Sequence, residues 1–280
     1  MGLIVPRDRC DCGLRACCKI AGMQIDHDEH TKQIALIERA TLAAVSPTAQ
    51  EELPGWLLGL DPGTVRRAHS AVPLQHAAPD VAVLAAIEAR YAAHGLSPTF
   101  RLPLVASFDS VRAALMQRAY IATQPTRVQT ASAHAMAQRS SAADADLAAA
   151  PDAAWAAVFL GEGFDPVDGA HRVRLLSRAK GAVFASVRVN GRVVAAGVGC
   201  FSHGWASVHG MRCALSHRRQ GLADRILGTL AREAQARAIA SVFLQVDAAN
   251  TNALALYCRA GFTTAWTYEY WHKARLPGGA

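Results

Sequence analysis

The chain has 280 residues, 51% of them hydrophobic and 18% charged. This excludes a globally disordered protein and allows two packed domains at roughly 100–200 residues each. The net charge is +7, with 29 Lys and Arg against 22 Asp and Glu. That balance suits a phosphorylated ligand, an anionic membrane or nucleic acid. However, no Lys/Arg run reaches five residues and no nucleic-acid motif occurs, which argues against a nucleic-acid binder. No stretch of ~18 uninterrupted apolar residues marks a membrane span. The first 22 residues lack the apolar run of a signal peptide, and the expected location is cytoplasmic.

Residues 1–25 are expected to form a flexible tail, with Met23 as an alternative start. Cys10, Cys12, Cys17 and Cys18 crowd it, followed by His27 and His30. Their spacing is not a standard zinc pattern, and no metal is expected. Residues 26–131 are expected to form a first domain. Ile34, Ile37, Leu42 and Val45 suggest a helix ending before Pro47. Trp56–Leu60 reads as a strand and Asp61-Pro-Gly63 as a turn. Val81 to His94 has the helical period, stopped by Gly95. Thr99–Leu104 is a strand, Phe108–Gln117 a helix, and Arg127–Thr130 a strand. Strand and helix alternate, which argues for an α/β unit.

Residues 132–152 are small, polar and poor in bulky side chains, and are assigned as a linker, with a surface helix as the alternative for part of it. Residues 153–280 are the second domain, opening with a helix from about Ala153. Val183–Val189 and Val193–Cys200 flank Asn190-Gly191, a pair that favours a type I′ hairpin turn. Then come a strand (Trp205–Cys213), a helix (Leu222 to about Arg237), a strand (Ser241–Val246), a helix (Asn252–Arg259) and a strand (Thr263–Trp271).

The stretch HRRQGLADRIL, His217–Leu227, lies at a strand–helix junction. Backbone N–H groups at a helix start have no intrahelical partner, and the helix dipole adds positive character. A glycine turn lets an anion approach them, so Gly221, Ala223, Arg218 and Arg219 together suggest a phosphate site. Alone, the same pattern is also that of an ordinary basic helix start. A second pattern follows at Asn250, Ala253, Leu256, Tyr257, Gly261 and Phe262.

The two patterns, in this order and spacing, resemble the GNAT N-acetyltransferase superfamily. That family carries R/Q-x-x-G-x-G/A at its main helix and N-x-x-A-x-x-L-Y-x-x-x-G-F after the next strand. The resemblance covers residues 180–271 and extends to about 153. It implies an α/β (α+β) fold of two GNAT-like units, each a mixed, mostly antiparallel twisted sheet flanked by helices. It also implies acetyl-CoA as co-substrate. Backbone at Met211 and Cys213 would bond pantetheine, Asn250 would lie beside it, and the loop of Arg218, Arg219, Gln220, Gly221, Leu222 and Ala223 would hold the pyrophosphate. The implied enzyme is an acyltransferase that moves acetyl to an amine by direct attack on the thioester. Tyr257 would be the general acid, with a packed aromatic as the alternative. Many relatives place a glutamate on the strand before the loop, and this strand has none. Ser207, His209, Met211 and Cys213 share one face by the two-residue period, and His209 becomes the candidate base, or else a satisfied core histidine.

In the first half, Gly55-Trp-Leu-Leu58, Arg66–Leu74 and Ala89–Pro98 resemble the amino-terminal half of tandem GNAT proteins. RYAAHGL at 90–96 echoes LYCRAGF at 256–262, which suggests a duplication. This half lacks the R-x-x-G-x-G/A loop, so it is expected to wall the acceptor cleft rather than bind acetyl-CoA. Arg66, Arg67, His69 and Ser70 are its candidate cleft residues, or a solvated turn. The competing reading is a non-catalytic acyl-CoA sensor. The acceptor, a small molecule or a protein amine, is not written in the sequence, although the basic charge favours an acidic or neutral one. A homodimer is left open.

Overall fold

The computed structural model describes residues 27–77, 79–139 and 144–273. The tail, the four-cysteine cluster and the alternative start at Met23 lie outside them. Helix α1 (His27–Val45) leads into strands β1 (Ala49–Leu53) and β2 (Trp56–Leu60), a 3-10 turn at Arg66–Ala68, and β3 (Ala71–Pro73). Then follow α2 (Val83–Ala93), β4 (Thr99–Pro103), α3 (Asp109–Gln117), β5 (Tyr120–Ser132), α4 (Ala133–Arg139) and β6 (Asp146–Ala148). The rest comprises α5 (Ala153–Ala157), α6 (Pro166–Ser177), β7 (Val183–Val189), β8 (Arg192–Ser202), β9 (Trp205–Cys213), α7 (Leu222–Ala236), β10 (Ser241–Asp247), α8 (Thr251–Arg259) and β11 (Thr263–Lys273).

All strands join one sheet in the order β1-β2-β3-β4-β11-β5-β10-β9-β8-β7-β6. The pairs β3/β4 and β9/β10 are parallel, and the other pairs are antiparallel. Each parallel pair is bridged by a helix, α2 or α7. The architecture is thus the mixed, mostly antiparallel sheet flanked by helices that the resemblance implied, but the described strands form one continuous sheet, with β5 of the first half between β11 and β10, rather than a separate sheet in each unit.

Strand alternation sends side chains to two helical layers. On one face, Val242, Leu244 and Val246 of β10 pack with Ile226, Leu227 and Leu230 of α7. The same face in the first half carries α2 and α3 over Leu58, Phe100 and Trp271. On the other face, Phe243, Tyr268 and Tyr270 pack under Ile37 and Ala40 of α1, and Phe184, Ala196 and Val198 pack under Trp155, Phe159 and Leu176 from the α5–α6 segment. Buried beneath α1, Arg101 Nη2 meets Glu38 Oε2 at 2.8 Å, and Arg101 Nε donates to Ser70 Oγ at 3.1 Å. The Arg101 guanidinium also lies over the Tyr268 ring, 5.2 Å from its centroid. Removing one partner of such a buried pair typically costs about 3–5 kcal/mol.

The Asn190-Gly191 turn has φ of 49° and 77°, as a type I′ turn requires. Elsewhere the structure adds elements. The segment 132–152, expected as a linker, carries α4 and β6: Met136 is buried in the α7 core and Leu147 pairs with Ala185. Small residues there fit closely against α7, so poverty in bulky side chains does not mean absence of packing. Strand β5 runs from 120, not 127, because residues 120–123 pair with β11 before 126–132 pair with β10 on the other edge. The RYAAHGL echo is out of step. Tyr91 lies on α2, the counterpart of α7, and donates to Gly59 O at 2.9 Å, whereas Tyr257 lies on α8.

Candidate active site

Strands β9 and β10 pair in parallel only from Ser241↔Trp205 to Leu244↔Val208. Beyond that point they separate, and a cleft of about 460 Å³ opens between them. Its walls include His209, Gly210, Met211 and Arg212 from β9, and Gln245, Val246 and Asp247 from β10. Asn250, Ala253 and Tyr257 close it from α8, and Thr64–Arg67, Gln124 and Tyr270 close it from the first half and β11.

Consecutive β9 residues from Val208 to Arg212 can reach one cleft because the strand is bulged. His209 pairs with Val198 but Arg212 pairs with Ala196, so three steps on β9 match two on β8. Gly210 absorbs the extra residue at φ 59°. A Cβ there would come within 2.9 Å of Leu176 and 3.1 Å of Phe159. The bulge overturns the expectation that Ser207, His209, Met211 and Cys213 share a face. Met211 and Cys213 pack toward α7, whereas Ser207 and His209 are buried on the α1 side, where the His209 ring meets Phe243 edge-on at 6.3 Å. A glycine inside a strand pattern was the signal for this.

Tyr257 packs within the α7–α8 layer, against Phe262 at 5.8 Å, and lines the cleft from that side. It therefore faces His209 and Arg67 across the gap in the sheet. Burial pushes its phenol up to about 12, with the Arg67 charge pulling it down. The phenol stays protonated at neutral pH, as a proton donor must. Asn250 caps α8, its Oδ1 accepting from Ala253 N at 3.1 Å, which leaves its amide NH₂ for the cleft.

His209 Nε2 lies 2.9 Å from Ser207 Oγ. Burial, reinforced by Arg67, lowers its imidazole to about 3. A group of that acidity has no drive to hold the proton of an alkylamine, so it is a neutral hydrogen-bonding side chain and a poor general base. Cys213 does not line the cleft. Its Sγ is 3.3 Å from His217 O, and burial raises the thiol despite the Arg218 charge, so it is a packing residue.

The loop 218–223 lies outside the cleft walls, on the surface at the start of α7. Arg218, Arg219, Gln220 and Gly221 are exposed, Ala223 is half-buried and Leu222 anchors the turn in the core. Gly221 sits at φ 74° as the helix N-cap, and no side chain caps this helix start. A Cβ at Gly221 would meet no atom within 4 Å, so the space before the helix is open. The residues thus fit a pyrophosphate: an uncapped helix start, an open glycine and two exposed arginines.

Of the candidates in the first half, Arg66 and Arg67 line the cleft. His69 and Ser70 do not. The His69 ring bridges the carbonyls of Asp61 and Ser97, and Ser70 accepts from Arg101. Gln124, Gln245, Asp247 and Tyr270 are cleft residues that the sequence did not single out; only strand pairing brings them there. Among the described residues, no cluster of three His, Cys, Asp or Glu could hold a metal ion, and no helix is long and apolar enough to cross a membrane.

A family model described as "Probable histone acetyltransferase Rv0428c C-terminal" matches residues 31–271, nearly the whole described chain. The chain belongs to this GNAT acetyltransferase family. Among solved structures, a GCN5-related N-acetyltransferase from Kribbella flavida superposes with a TM-score of 0.62 at 18% identity, over 88% of this chain and 96% of that one. A functionally unknown conserved protein from Staphylococcus epidermidis gives 0.61 at 14%, over 81% and 93%. A tandem GNAT protein from the clavulanic acid biosynthesis pathway gives 0.56 at 12%, over 89% and 98%. At such identities these likenesses speak for the fold. No curated protein matches the chain.

Proposed function

We propose that the protein is an N-acetyltransferase that moves the acetyl group of acetyl-CoA to an amine. The observation that carries this is the splayed β9/β10 pair, with Tyr257 on one side of the gap and an open, uncapped α7 start beside it. Gly221 and the first turn of α7 would hold the pyrophosphate, with Arg218 and Arg219 adding charge. Asn250 would offer its amide to the pantetheine arm. Bound acetyl-CoA supplies an activated thioester, and the chain's residues orient it and manage the protons.

The acceptor nitrogen reaches the gap as a neutral amine, its proton having gone to water, since His209, the histidine of the cleft lining, is not basic enough to hold it. The C–N bond forms as the C–S bond breaks. A backbone N–H released at the Gly210 bulge would stabilise the oxyanion. Tyr257 would give its proton to the departing thiolate and recover one from the new amide's ammonium. No charge is left on the phenol at the end of the cycle. The retained tyrosine favours this over a non-catalytic acyl-CoA sensor. The test is thiol release from acetyl-CoA across a panel of amines, with Tyr257→Phe beside the wild type. Amine-dependent release that falls in the variant supports an enzyme. Acetyl-CoA binding with no release on any amine supports the sensor.

A further inference from the structure

The two sides of the cleft differ in charge, and the difference bears on the acceptor. Several charges at the site are compensated. Arg172 Nε meets Asp168 at 2.5 Å, and Arg212 lies 3.8 Å from the same carboxylate. Asp247, on the β10 wall, meets only neutral donors among the described residues, Gln124 Nε2 and the backbone N–H of Ala249. Beneath the floor, Glu38 is matched by Arg101. Two cations remain. Arg66 holds only neutral groups, Thr123 Oγ1 at 3.1 Å and Gln124 Oε1 at 3.3 Å, and its guanidinium lies 5.5 Å from the centre of the Tyr270 ring. Arg67 has a fully buried Nε with no hydrogen-bond partner; its side chain hydrogen-bonds Tyr268 and feels the Glu38 charge, but among the described residues no carboxylate comes within ion-pairing distance of it. Its charge nevertheless reaches His209, Tyr257 and Tyr270, which places it at the point where the strands part.

A half-buried guanidinium with an unpaired buried N–H is costly unless an anion completes it. Its planar fork matches a carboxylate bidentately. The 66–67 turn contacts α1, and His209, its neighbour in the gap, is on the α1 side of the sheet, whereas the α7 start and Tyr257 belong to the other side. We propose that the acceptor amine carries a carboxylate, as an amino acid does, and that Arg67, with Arg66 at the rim, binds that carboxylate on the α1 side while the amine points into the gap. The carboxylate takes no part in the bond changes. A lysine-rich tail would bring positive charge against both arginines and is disfavoured at this site. This assignment rests on the acetyltransferase reading above.

The test uses matched amines, an α-amino acid and the same molecule lacking its carboxylate, with a lysine-rich peptide as the third acceptor. Calorimetric titration of the protein with acetyl-CoA comes first; no binding there overturns the acetyltransferase reading and this one with it. Given binding, the carboxylated amine is expected to show kcat/KM at least about tenfold above its decarboxylated partner, and that preference should vanish in Arg67→Gln with acetyl-CoA affinity unchanged. Arg67→Lys, which keeps the charge but not the fork, should retain part of the preference and guards against misfolding of the first variant. Equal use of the two amines by the wild type, or preference for the lysine-rich peptide, overturns the carboxylate site and leaves the acetyltransferase standing.

Discussion

Helices α2 and α7 occupy corresponding places. Each leaves one strand of a parallel pair and returns to the other, β3 to β4 and β9 to β10. Their first turns are built in opposite ways. In the turn before α2, Asp80 Oδ1 accepts from Ala82 N at 2.8 Å, so a carboxylate already lies beside that helix start. Before α7, Gly221 in the left-handed region carries no side chain and Arg218 and Arg219 precede it, with Asp224 the acidic residue of the first turn itself. A carboxylate in the approach to a helix complements the dipole and competes with an anion there. An open glycine leaves the same donors for a ligand. The neighbouring strands follow suit. In the first half the His69 ring ties Asp61 to Ser97, while in the second the strands splay around a cleft. One half has been sealed, and it contributes Arg66 and Arg67 to the site in the other.

The contrast can be broken at several points. The largest effect is expected from Tyr257→Phe: turnover should fall by about 10²–10⁴-fold, the usual worth of a positioned proton donor, with acetyl-CoA affinity unchanged. Steady-state kinetics beside calorimetry would show this. Next is Gly221→Glu, which mimics α2 by adding an acidic side chain in a left-handed conformation. The strain of ~1–2 kcal/mol and the like-charge repulsion should weaken acetyl-CoA binding by about 100-fold, whereas Gly221→Ala carries the strain alone. Replacing Arg218 and Arg219 together by Gln should cost about tenfold in affinity at low ionic strength, and less as salt screens exposed charge. Asp80→Ala should lower the stability of the fold by about 1 kcal/mol through loss of its turn hydrogen bond to Ala82 N and leave acetyl-CoA binding untouched.

The smallest expected change in rate belongs to His209→Gln. Because the folded imidazole titrates near 3, it carries no proton between pH 5 and 9, so the pH–rate profile should keep its shape. Acid stability should change instead. A histidine depressed from 6.5 to about 3 stabilises the fold fully above pH 6.5 and loses that contribution as pH falls toward 3. The variant should flatten denaturation curves across that window, apart from a residual slope of the same sign from His76, held near 4 by burial.

Much of the second half was legible in the sequence. The Asn190-Gly191 hairpin, the ends of β9 and the glycine before α7 are local features, set by turn chemistry and hydrophobic period. What was missed depends on long-range pairing. Nothing local in residues 120–126 announces that β5 runs between β10 and β11, bringing Gln124 to the cleft. The polar strand β1, Ala49–Leu53, lies at the sheet edge with alternate residues exposed and so lacks the apolar run of a strand. The face of Met211 was misassigned because one glycine, Gly210, shifts the alternation. His209 was a reasonable base by residue type, but its burial against Phe243 and the nearness of Arg67 exist only in the folded chain.

The central claim is that acetyl-CoA binds at the open start of α7. Its most direct test is calorimetric titration of acetyl-CoA into the wild type and into Gly221→Glu, with folding checked by circular dichroism. One saturable site in the wild type, weakened about 100-fold in the folded variant, is the predicted result. Absence of binding at millimolar acetyl-CoA, or equal affinity in both proteins, would contradict it.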